Sequence, residues 1–433
     1  MRMMQKQSYE WTKRDLWFGI ACLLCLSCAA SAQAPRQTQS DDYTRYELLE
    51  PGTQSFRIYY DVTATTAGAK YYYNAIRIGS KPTVHAVYDL MTGRELDWSI
   101  VDGSVAKEGG VARANPEGTY IQVALARAVP AGGEGRIRID KTYKDPESYY
   151  RKGDDIVFSR SLGIKRNAIV LPAGYELIKC NYPSQVVVET DGRVKVSFMN
   201  RGPAGVPLEV QARPLPSQKG ETGASKKVEQ TDTPPSMSRR PSGARIDYTF
   251  SERAFQDREI VYFLQQPETH SFRLYHDYTE TREGVDRYLN VVRAGSRATH
   301  PSAKVLDTGE VLKVETLKGQ EIKEKGIDIG AEVTEETEVV VIWFDPVKKG
   351  QSVRLRIEET YTDPGRFLVE GDELIWDRSF GRPLNTVIIP EGWYVTASSI
   401  PAVVGETDDG RIQLDYVNDR PGSIDVFLKA KRR

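Results

Sequence analysis

Cysteine is scarce in this chain. Only 4 of the 433 residues are cysteine, and Cys22, Cys25 and Cys28 all fall in an apolar N-terminal segment. If that segment is removed, Cys180 alone remains, so the mature chain can form neither an intrachain disulfide nor a cysteine-based metal cage. Stability must then come from packed cores, which favours large domains over a small disulfide-stapled module.

A net charge of either sign is also missing. The chain has 59 Lys and Arg against 60 Asp and Glu, a formal net charge of -1. Dedicated nucleic-acid binders carry a basic surface that neutralises phosphate, so no nucleic-acid partner is predicted. The hydrophobic fraction of 39% suffices for ordinary cores and argues against general disorder. At ~100 to 200 residues per domain, the length indicates two or three domains.

Recognised catalytic and metal-binding motifs are absent as well. The chain has 4 histidines and no His-Glu-x-x-His, no Gly-x-Ser-x-Gly and no phosphate-binding glycine loop, so no catalytic residue, metal or cofactor is predicted from motifs. Cys180 is a conceivable nucleophile, but it lies in an apolar strand. Reactive thiols need an electropositive, partly exposed site, which favours an inert thiol here.

Long apolar runs are missing outside the N-terminus. Leu16–Ala30 is almost entirely apolar or small, and Ala30-Ser31-Ala32 follows, a pattern typical of a signal peptide at 1–32. An uncleaved anchor is the alternative, but about 15 residues fall short of the ~20 that span a bilayer. A lipid anchor at Cys28 is a further alternative. We therefore predict export to the periplasm, cell surface or medium, with no transmembrane span in the mature chain.

What the sequence does contain is an internal repeat. Ser55–Asp61 recurs as Ser271–Asp277, displaced by 216 positions, and Thr142–Pro146 recurs as Thr360–Pro364, displaced by 218. Two ordered blocks at nearly one offset indicate a duplicated domain of ordinary size. The predicted organisation is a disordered N-terminal segment at 33–42, a first repeat at 43–213, a linker at 214–245 and a second repeat at 246–433.

The segment between the repeats has the composition of a flexible linker. Residues 214–245 are rich in Pro, Ser, Gly and charge and almost free of aliphatic residues. Such a segment cannot bury enough apolar surface to offset the entropy lost on ordering.

Each repeat is predicted to be all-β. Short β-branched or aromatic runs alternate with Gly, Asp, Asn or Pro clusters. Asp191-Gly192 and Asp409-Gly410 each separate two such runs and predict hairpins. Glu338–Phe344 and Val353–Ile357 predict a further hairpin with a longer loop. The resulting fold class is a tandem duplication of an antiparallel β-sandwich, Ig-like or jelly-roll-like, in two domains joined by the linker.

Several repeated charged residues are interpreted as structural. Residues two apart along a strand share a face, which places the first arginine and the aspartate of each repeat together. Two further arginines are predicted to be partly buried clamps that bind backbone carbonyls. The full structural set is Arg57, Asp61, Arg160, Arg273, Asp277 and Arg378.

Tyrosines supply the predicted ligand-binding set. Strand alternation sends Tyr71 and Tyr73 to one face and Tyr72 to the other. We predict that Tyr60, Tyr71 and Tyr73 are exposed and bind a protein or glycan partner, because aromatic side chains stack on sugars and anchor interfaces. Half-buried tyrosines at a sheet edge are the alternative.

Paired carboxylates provide the alternative function. Asp154-Asp155 and Asp372-Glu373 occupy the same place in the two repeats. Strand neighbours point to opposite faces, so an acidic turn after glycine is the favoured interpretation. A hydrolase that uses Asp154 or Asp372 at a loop-borne site remains the competing hypothesis, and calcium binding is a weaker one because the usual loop spacing is absent.

One stretch resembles a known family. Asn385–Trp393 and its twin Asn167–Tyr175 are similar to a strand and Pro-x-Gly pattern in the N-terminal β-sandwich of secreted M1- and M61-type aminopeptidases. The resemblance implies an extracytoplasmic sandwich, and the catalytic domain of those enzymes has no counterpart here. The sequence thus predicts an exported, non-enzymatic binding or structural protein.

Overall fold

The computed structural model of the protein describes residues 34–215 and 251–433. The predicted signal peptide at 1–32 and nearly all of the predicted linker lie outside the described residues.

The first repeat contains one large sheet and two smaller ones. The seven-stranded sheet comprises, in spatial order, β12 (Gln185–Val188), β13 (Val194–Met199), β10 (Arg166–Val170), β1 (Gln39–Leu48), β2 (Ser55–Ala64), β7 (Gly135–Lys144) and β4 (Lys81–Asp89). The four-stranded sheet comprises β11 (Tyr175–Cys180), β14 (Val206–Pro214), β9 (Asp155–Leu162) and β8 (Tyr149–Lys152). The three-stranded sheet comprises β3 (Tyr71–Ala75), β6 (Thr119–Ala124) and β5 (Trp98–Asp102), followed by helix α1 (Gly103–Glu108).

The second repeat reproduces this arrangement strand for strand. Its seven-stranded sheet comprises β26 (Val403–Glu406), β27 (Ile412–Val417), β24 (Leu384–Ile388), β15 (Arg258–Leu264), β16 (Ser271–Glu280), β21 (Val353–Thr362) and β18 (Arg297–Val305). Its four-stranded sheet comprises β25 (Trp393–Ser398), β28 (Ile424–Arg432), β23 (Glu373–Phe380) and β22 (Phe367–Glu370). Its three-stranded sheet comprises β17 (Arg287–Val291), β20 (Glu338–Trp343) and β19 (Lys313–Lys318), followed by helix α2 (Gln320–Glu324). The predicted duplicated, sandwich-rich all-β fold is confirmed.

The strand pairing is not wholly antiparallel. β1 pairs with β10 in parallel, and β15 pairs with β24 in the same way. The two Asp-Gly hairpins are confirmed, since β12 pairs with β13 and β26 with β27. The third predicted hairpin is wrong, because β20 and β21 belong to different sheets. Phe344 and Val347 are buried where the chain crosses between the layers, so this loop contributes to the core.

The core of each repeat lies between the large sheet and the smaller sheets. Phe56 and Phe158 meet edge to face with ring centroids 5.4 Å apart. Phe272 and Trp376, at the equivalent positions, meet in the same way at 4.7 Å. All four rings are fully buried, and burying such a side chain contributes ~1.5 to 3 kcal/mol. The same aromatic contact therefore anchors both copies.

The N-terminal boundary of the first repeat differs from the prediction. The segment 33–42 was expected to be disordered, but β1 already begins at Gln39. Gln37 donates its backbone N–H to the Gly110 carbonyl at 2.9 Å, and the Thr38 N–H donates to the Thr66 hydroxyl at 2.7 Å. These hydrogen bonds attach the polar segment to the sandwich without an apolar pattern in its sequence.

Candidate functional site

Of the three tyrosines predicted to be exposed, only one is exposed. Tyr71 is 50% exposed, whereas Tyr60 and Tyr73 are both buried at 6%. The prediction of exposure is therefore wrong for Tyr60 and Tyr73. Ligand binding by Tyr71 stays a prediction.

Tyr60 is buried by simple strand alternation. Along β2, Phe56, Ile58 and Tyr60 point into the core, while Arg57 and Asp61 point outward to charged partners. The alternation that placed Arg57 and Asp61 on one face was sufficient to place Tyr60 on the other.

Tyr73 is buried because helix α1 covers the outer face of β3. The helix begins after Asp102, whose carboxylate accepts hydrogen bonds from the N–H groups of Ser104 and Val105 at 3.0 and 3.1 Å, as an N-cap does. Tyr73 packs there with buried Ala106. Gly109 approaches so closely that an added Cβ would lie 2.3 Å from the Tyr73 ring.

The repeated outward charges form cross-strand ion pairs. Arg57 binds Asp140 through two hydrogen bonds of 2.8 and 2.6 Å. Asp61 accepts two from Arg138, and the equivalent Asp277 accepts two from Arg356 at 2.8 and 2.7 Å. Bidentate arginine–carboxylate pairs fix geometry as well as charge.

The two proposed clamps bind a carboxylate instead of backbone carbonyls. Arg160 donates to Asp145 at 2.8 Å and to the Ser148 hydroxyl at 3.3 Å. Arg378 donates to Asp363 at 2.9 Å. Asp145 and Asp363 are buried and belong to the repeated Asp-Pro motif, which follows β7 in the first repeat and β21 in the second. Each arginine therefore links the loop after that strand to the four-stranded sheet of its repeat. The predicted carbonyl partners were wrong.

The paired carboxylates of the alternative function lie in hairpin turns. Lys152 pairs with Asp155 across the β8–β9 turn, and Glu370 pairs with Glu373 across the β22–β23 turn. Asp372 binds Lys431 at 3.2 Å with 76% of its side chain exposed. These groups lie at exposed turns, where solvent and lysines contact them.

The two repeats contact each other through buried charges. Arg136 of the first repeat donates two hydrogen bonds of 2.8 Å to Asp307 of the second, with the two side chains 4% and 0% exposed. Arg354, at the position equivalent to Arg136, donates to Glu134 of the first repeat at 3.1 Å. We call this region, defined by Arg136, Glu134, Asp307 and Arg354, the junction.

Hydrogen bonds to backbone carbonyls at the junction are reciprocal. The Glu134 N–H donates to the Leu306 carbonyl at 2.8 Å. At the equivalent positions, the Ser352 hydroxyl donates to the Leu90 carbonyl at 2.6 Å. The same patch of each repeat therefore meets its counterpart, as across a two-fold axis.

A second group of contacts extends the junction. Arg201 of the first repeat binds Asp415 at 2.7 Å, and Arg166 donates to the Ala254 carbonyl at 3.0 Å. Glu252 accepts from the Tyr43 hydroxyl at 3.0 Å. Burial and the Glu252 carboxylate together raise the pKa of Tyr43 well above its usual value.

A buried polar cluster occupies the core of the second repeat. Arg382 donates to Nε2 of His276 at 3.0 Å and to the Tyr288 hydroxyl at 3.1 Å. Burial, together with Arg382, lowers the pKa of His276 well below its usual value. Nearby, Asn290 donates to Glu359 at 2.6 Å, and burial raises the pKa of Glu359 to about 7.

The first repeat has a cation in the corresponding place. Lys141, equivalent to Glu359, donates to the Asn74 side chain at 2.5 Å, and Tyr60 and Tyr143 flank its ammonium group. Burial lowers the pKa of Lys141 to about 7. The two cores therefore tolerate opposite ionisable groups at one position.

An open depression lies on the outer face of the second large sheet. Phe263 and Arg273 are direct cross-strand neighbours, and the Arg411 guanidinium lies 5.9 Å from the Phe263 ring centroid. One part, of about 260 Å³, is lined by Phe263, Leu264, Gln265, Arg273 and Arg411. The adjoining part, of about 420 Å³, shares three of these residues and adds Gln266, Pro390, Glu391 and Asp409.

The depression was missed at the level of sequence. Arg273 had been interpreted as structural, but its side chain is exposed and has no ionic partner within residues 34–215 and 251–433. A comparison of the two repeats position by position would have flagged it. Arg57 and Arg273 each face a threonine across the strand pair, but Phe263 replaces Glu47 beside Arg273.

Clusters of metal ligands and membrane-spanning helices are both lacking in the described ranges, 34–215 and 251–433. No group of three or more His, Cys, Asp or Glu side chains there could hold a metal ion. None of the helices in those ranges has the length and apolar character needed to cross a membrane.

Comparisons with known proteins give a faint structural resemblance. A crystal structure of the M1 zinc metallopeptidase from Deinococcus radiodurans matches with 12% identity and a TM-score of 0.29, over 42% of this chain and 42% of that chain. A variant of the enzyme from that organism, bound to a Tyr-Ser-Ala substrate, matches with 13% identity and a TM-score of 0.29, over 41% and 43%. An aminopeptidase N family protein from Idiomarina loihiensis matches with 10% identity and a TM-score of 0.25, over 40% and 29%.

These matches span less than half of the enzyme chains. No family model and no curated protein matches the sequence. The resemblance to M1 aminopeptidases predicted from the sequence is thus present, and it is faint.

Proposed function

We propose that this is an exported, non-enzymatic protein whose two β-sandwich repeats act together as one binding or structural unit. The junction is the observation that carries the proposal. Arg136 and Asp307 are almost completely buried, and a buried ion pair persists only when the surrounding structure holds both partners. Two repeats held in this way present one continuous outer surface to a partner.

The ion pairs of the repeated charged residues support the same proposal. Arg57, Asp61, Arg160 and their equivalents Asp277 and Arg378 are engaged in ion pairs within each repeat. Residues used in this way position strands and loops. The carboxylates of the alternative hydrolase lie instead at exposed hairpin turns.

A combined binding and turnover screen tests the proposal. The mature chain is applied to peptide and glycan arrays and incubated with a panel of ester, glycoside and peptide substrates. The proposal predicts saturable binding to a defined ligand class without turnover. Turnover that is lost in Asp154→Asn or Asp372→Asn would favour the hydrolase and overturn the proposal.

Export is tested separately. A reporter fused after residue 45 should be found outside the cytoplasm, whereas the same fusion without residues 1–32 should remain in the cytoplasm. Lipidation would be detected as labelling by a fatty-acid analogue that is lost in Cys28→Ser.

A further inference from the structure

The two repeats differ sharply on the outer face of the large sheet. In the first repeat, Glu47 accepts a hydrogen bond from Arg45 at 2.8 Å and lies 3.5 Å from Arg193. Nearby, Arg57 is held by Asp140 at 2.6 Å. Each arginine of this face has a carboxylate partner supplied by the protein.

The second repeat keeps two of these three arginines and loses the acid between them. Arg273 and Arg411 stand at the positions of Arg57 and Arg193, while Val261 replaces Arg45 and Phe263 replaces Glu47. Glu358 replaces Asp140 and lies across from Tyr275, and Arg273 has no ionic partner in the described part of the chain. The exchange of Glu47 for Phe263 removes the carboxylate that would lie between Arg273 and Arg411.

Arg411 is already positioned to receive a ligand. Its Nε and Nη2 atoms face Asp409, at 2.9 and 2.7 Å, and the guanidinium lies over the Phe263 ring. This arrangement leaves Nη1 available and restrains the side chain, so little rotamer entropy is lost on binding.

We propose that the depression bounded by Phe263, Arg273 and Arg411 binds the carboxylate of an acidic residue in an extended peptide, with a basic residue of that peptide over Glu391 and Asp409. Charge complementarity supports the assignment, because the part with Phe263 is lined by Arg273 and Arg411 and by no acid, whereas the adjoining part adds Glu391 and Asp409. This inference rests on the proposed binding function and specifies its ligand.

A peptide fits the depression better than a sugar. The Phe263 ring is contacted by Arg411 and, at a centroid distance of 6.0 Å, by Tyr275. It therefore offers no open face for stacking a sugar ring. An open groove with separate cationic and anionic parts suits an extended chain whose side chains alternate in charge.

The test uses the mature full-length protein and a fluorescent peptide of alternating glutamate and lysine, followed by fluorescence anisotropy. Arg273→Ala is expected to weaken binding ~10-fold or more, because it removes a charge-assisted hydrogen bond to the peptide carboxylate. Phe263→Glu, which restores the first-repeat residue, should weaken binding at least as much. Arg57→Ala is the matched control and should leave the affinity unchanged.

Three outcomes of these comparisons would overturn the inference. These are unchanged affinity in Arg273→Ala, an equal loss in Arg57→Ala, and binding of polyglutamate as tight as that of the alternating peptide. Failure of the wild type to bind the alternating peptide would also overturn it, while the proposed function would still be decided by the array and turnover screen. Circular dichroism of each variant separates lost binding from lost fold.

Discussion

Buried ionisable side chains distinguish this protein at the scale of single residues. Lys141 and Glu359 occupy one structural position with opposite charge, and burial moves the pKa of each to about 7. The repeated sequence motifs do not include this position, because its residue differs between the two repeats. The position is defined by the fold, and the equivalent asparagine of each repeat, Asn74 or Asn290, is its polar partner.

Glu359 should make stability depend on pH. Its folded pKa is raised to about 7, so between about pH 4.5 and about pH 7 the folded state binds more protons than the unfolded state. Stability from this group is therefore fully present at low pH and is lost as the pH rises through that window. Relative to wild type, Glu359→Gln should gain ~1 to 3 kcal/mol between about pH 5 and about pH 8 in urea unfolding.

The exposed neighbour Glu358 provides the control for this experiment. Glu358→Gln should change stability by no more than ~0.5 kcal/mol at either pH, since it removes no buried group. A pH dependence that is the same in wild type and Glu359→Gln would contradict the assignment.

The Arg160 clamp should be costly to remove. Arg160→Ala leaves the buried Asp145 carboxylate without its guanidinium partner, which should lower the free energy of unfolding by ~1 to 3 kcal/mol. Arg151→Ala is the comparison, because the Arg151–Glu50 pair is exposed and 3.8 Å long and should contribute under ~1 kcal/mol. Equal midpoints for the two variants in denaturant would rule out a clamp.

At the scale of elements, the sequence predicted strands better than it predicted the helix and the connection that pack against those strands. Strand-like residue runs and the Asp-Gly turns were enough to predict the all-β fold and two hairpins, because both depend on neighbouring residues. The burial of Tyr73 depends on helix α1, which is remote in sequence and only Gly103–Glu108 in length. In the sequence, the connection between β20 and β21 resembles a hairpin loop, but Phe344 and Val347 within it are buried in the core.

The packing of helix α1 can be tested at Gly109. A Cβ at this position would overlap the Tyr73 ring, so Gly109→Ala should destabilise the protein by ~1 to 3 kcal/mol through overpacking. Gly163→Ala is a matched control, since no atom lies within 4 Å of its added Cβ. If the two substitutions had equal effects in denaturant titrations, the close packing of helix α1 on Tyr73 would be refuted.

At the scale of the whole molecule, the two repeats contact each other at the junction. The sequence predicted the duplication from two repeated blocks, but it carried no signal for the junction. Asp307 is matched by Met91 in the first repeat, so this acid does not appear in any repeat alignment. The arginines of the junction, Arg136 and Arg354, are equivalent, but their acidic partners lie where the copies differ, as does the depression beside Phe263.

Removal of one junction charge should uncouple the repeats. Asp307→Asn leaves Arg136 buried without its carboxylate, which should cost ~3 to 5 kcal/mol and resolve unfolding into two transitions. Asp140→Asn is the control, because Asp140 is also buried and paired with an arginine, Arg57, but within one repeat. It should lower stability without separating the transitions.

Differential scanning calorimetry of the intact mature chain tests the central claim most directly. If the junction makes the two repeats one structural unit, the wild type should unfold in a single transition whose calorimetric enthalpy equals its van't Hoff enthalpy. Two resolved transitions in the wild type, unchanged by Asp307→Asn, would show that the repeats fold independently and would contradict the account.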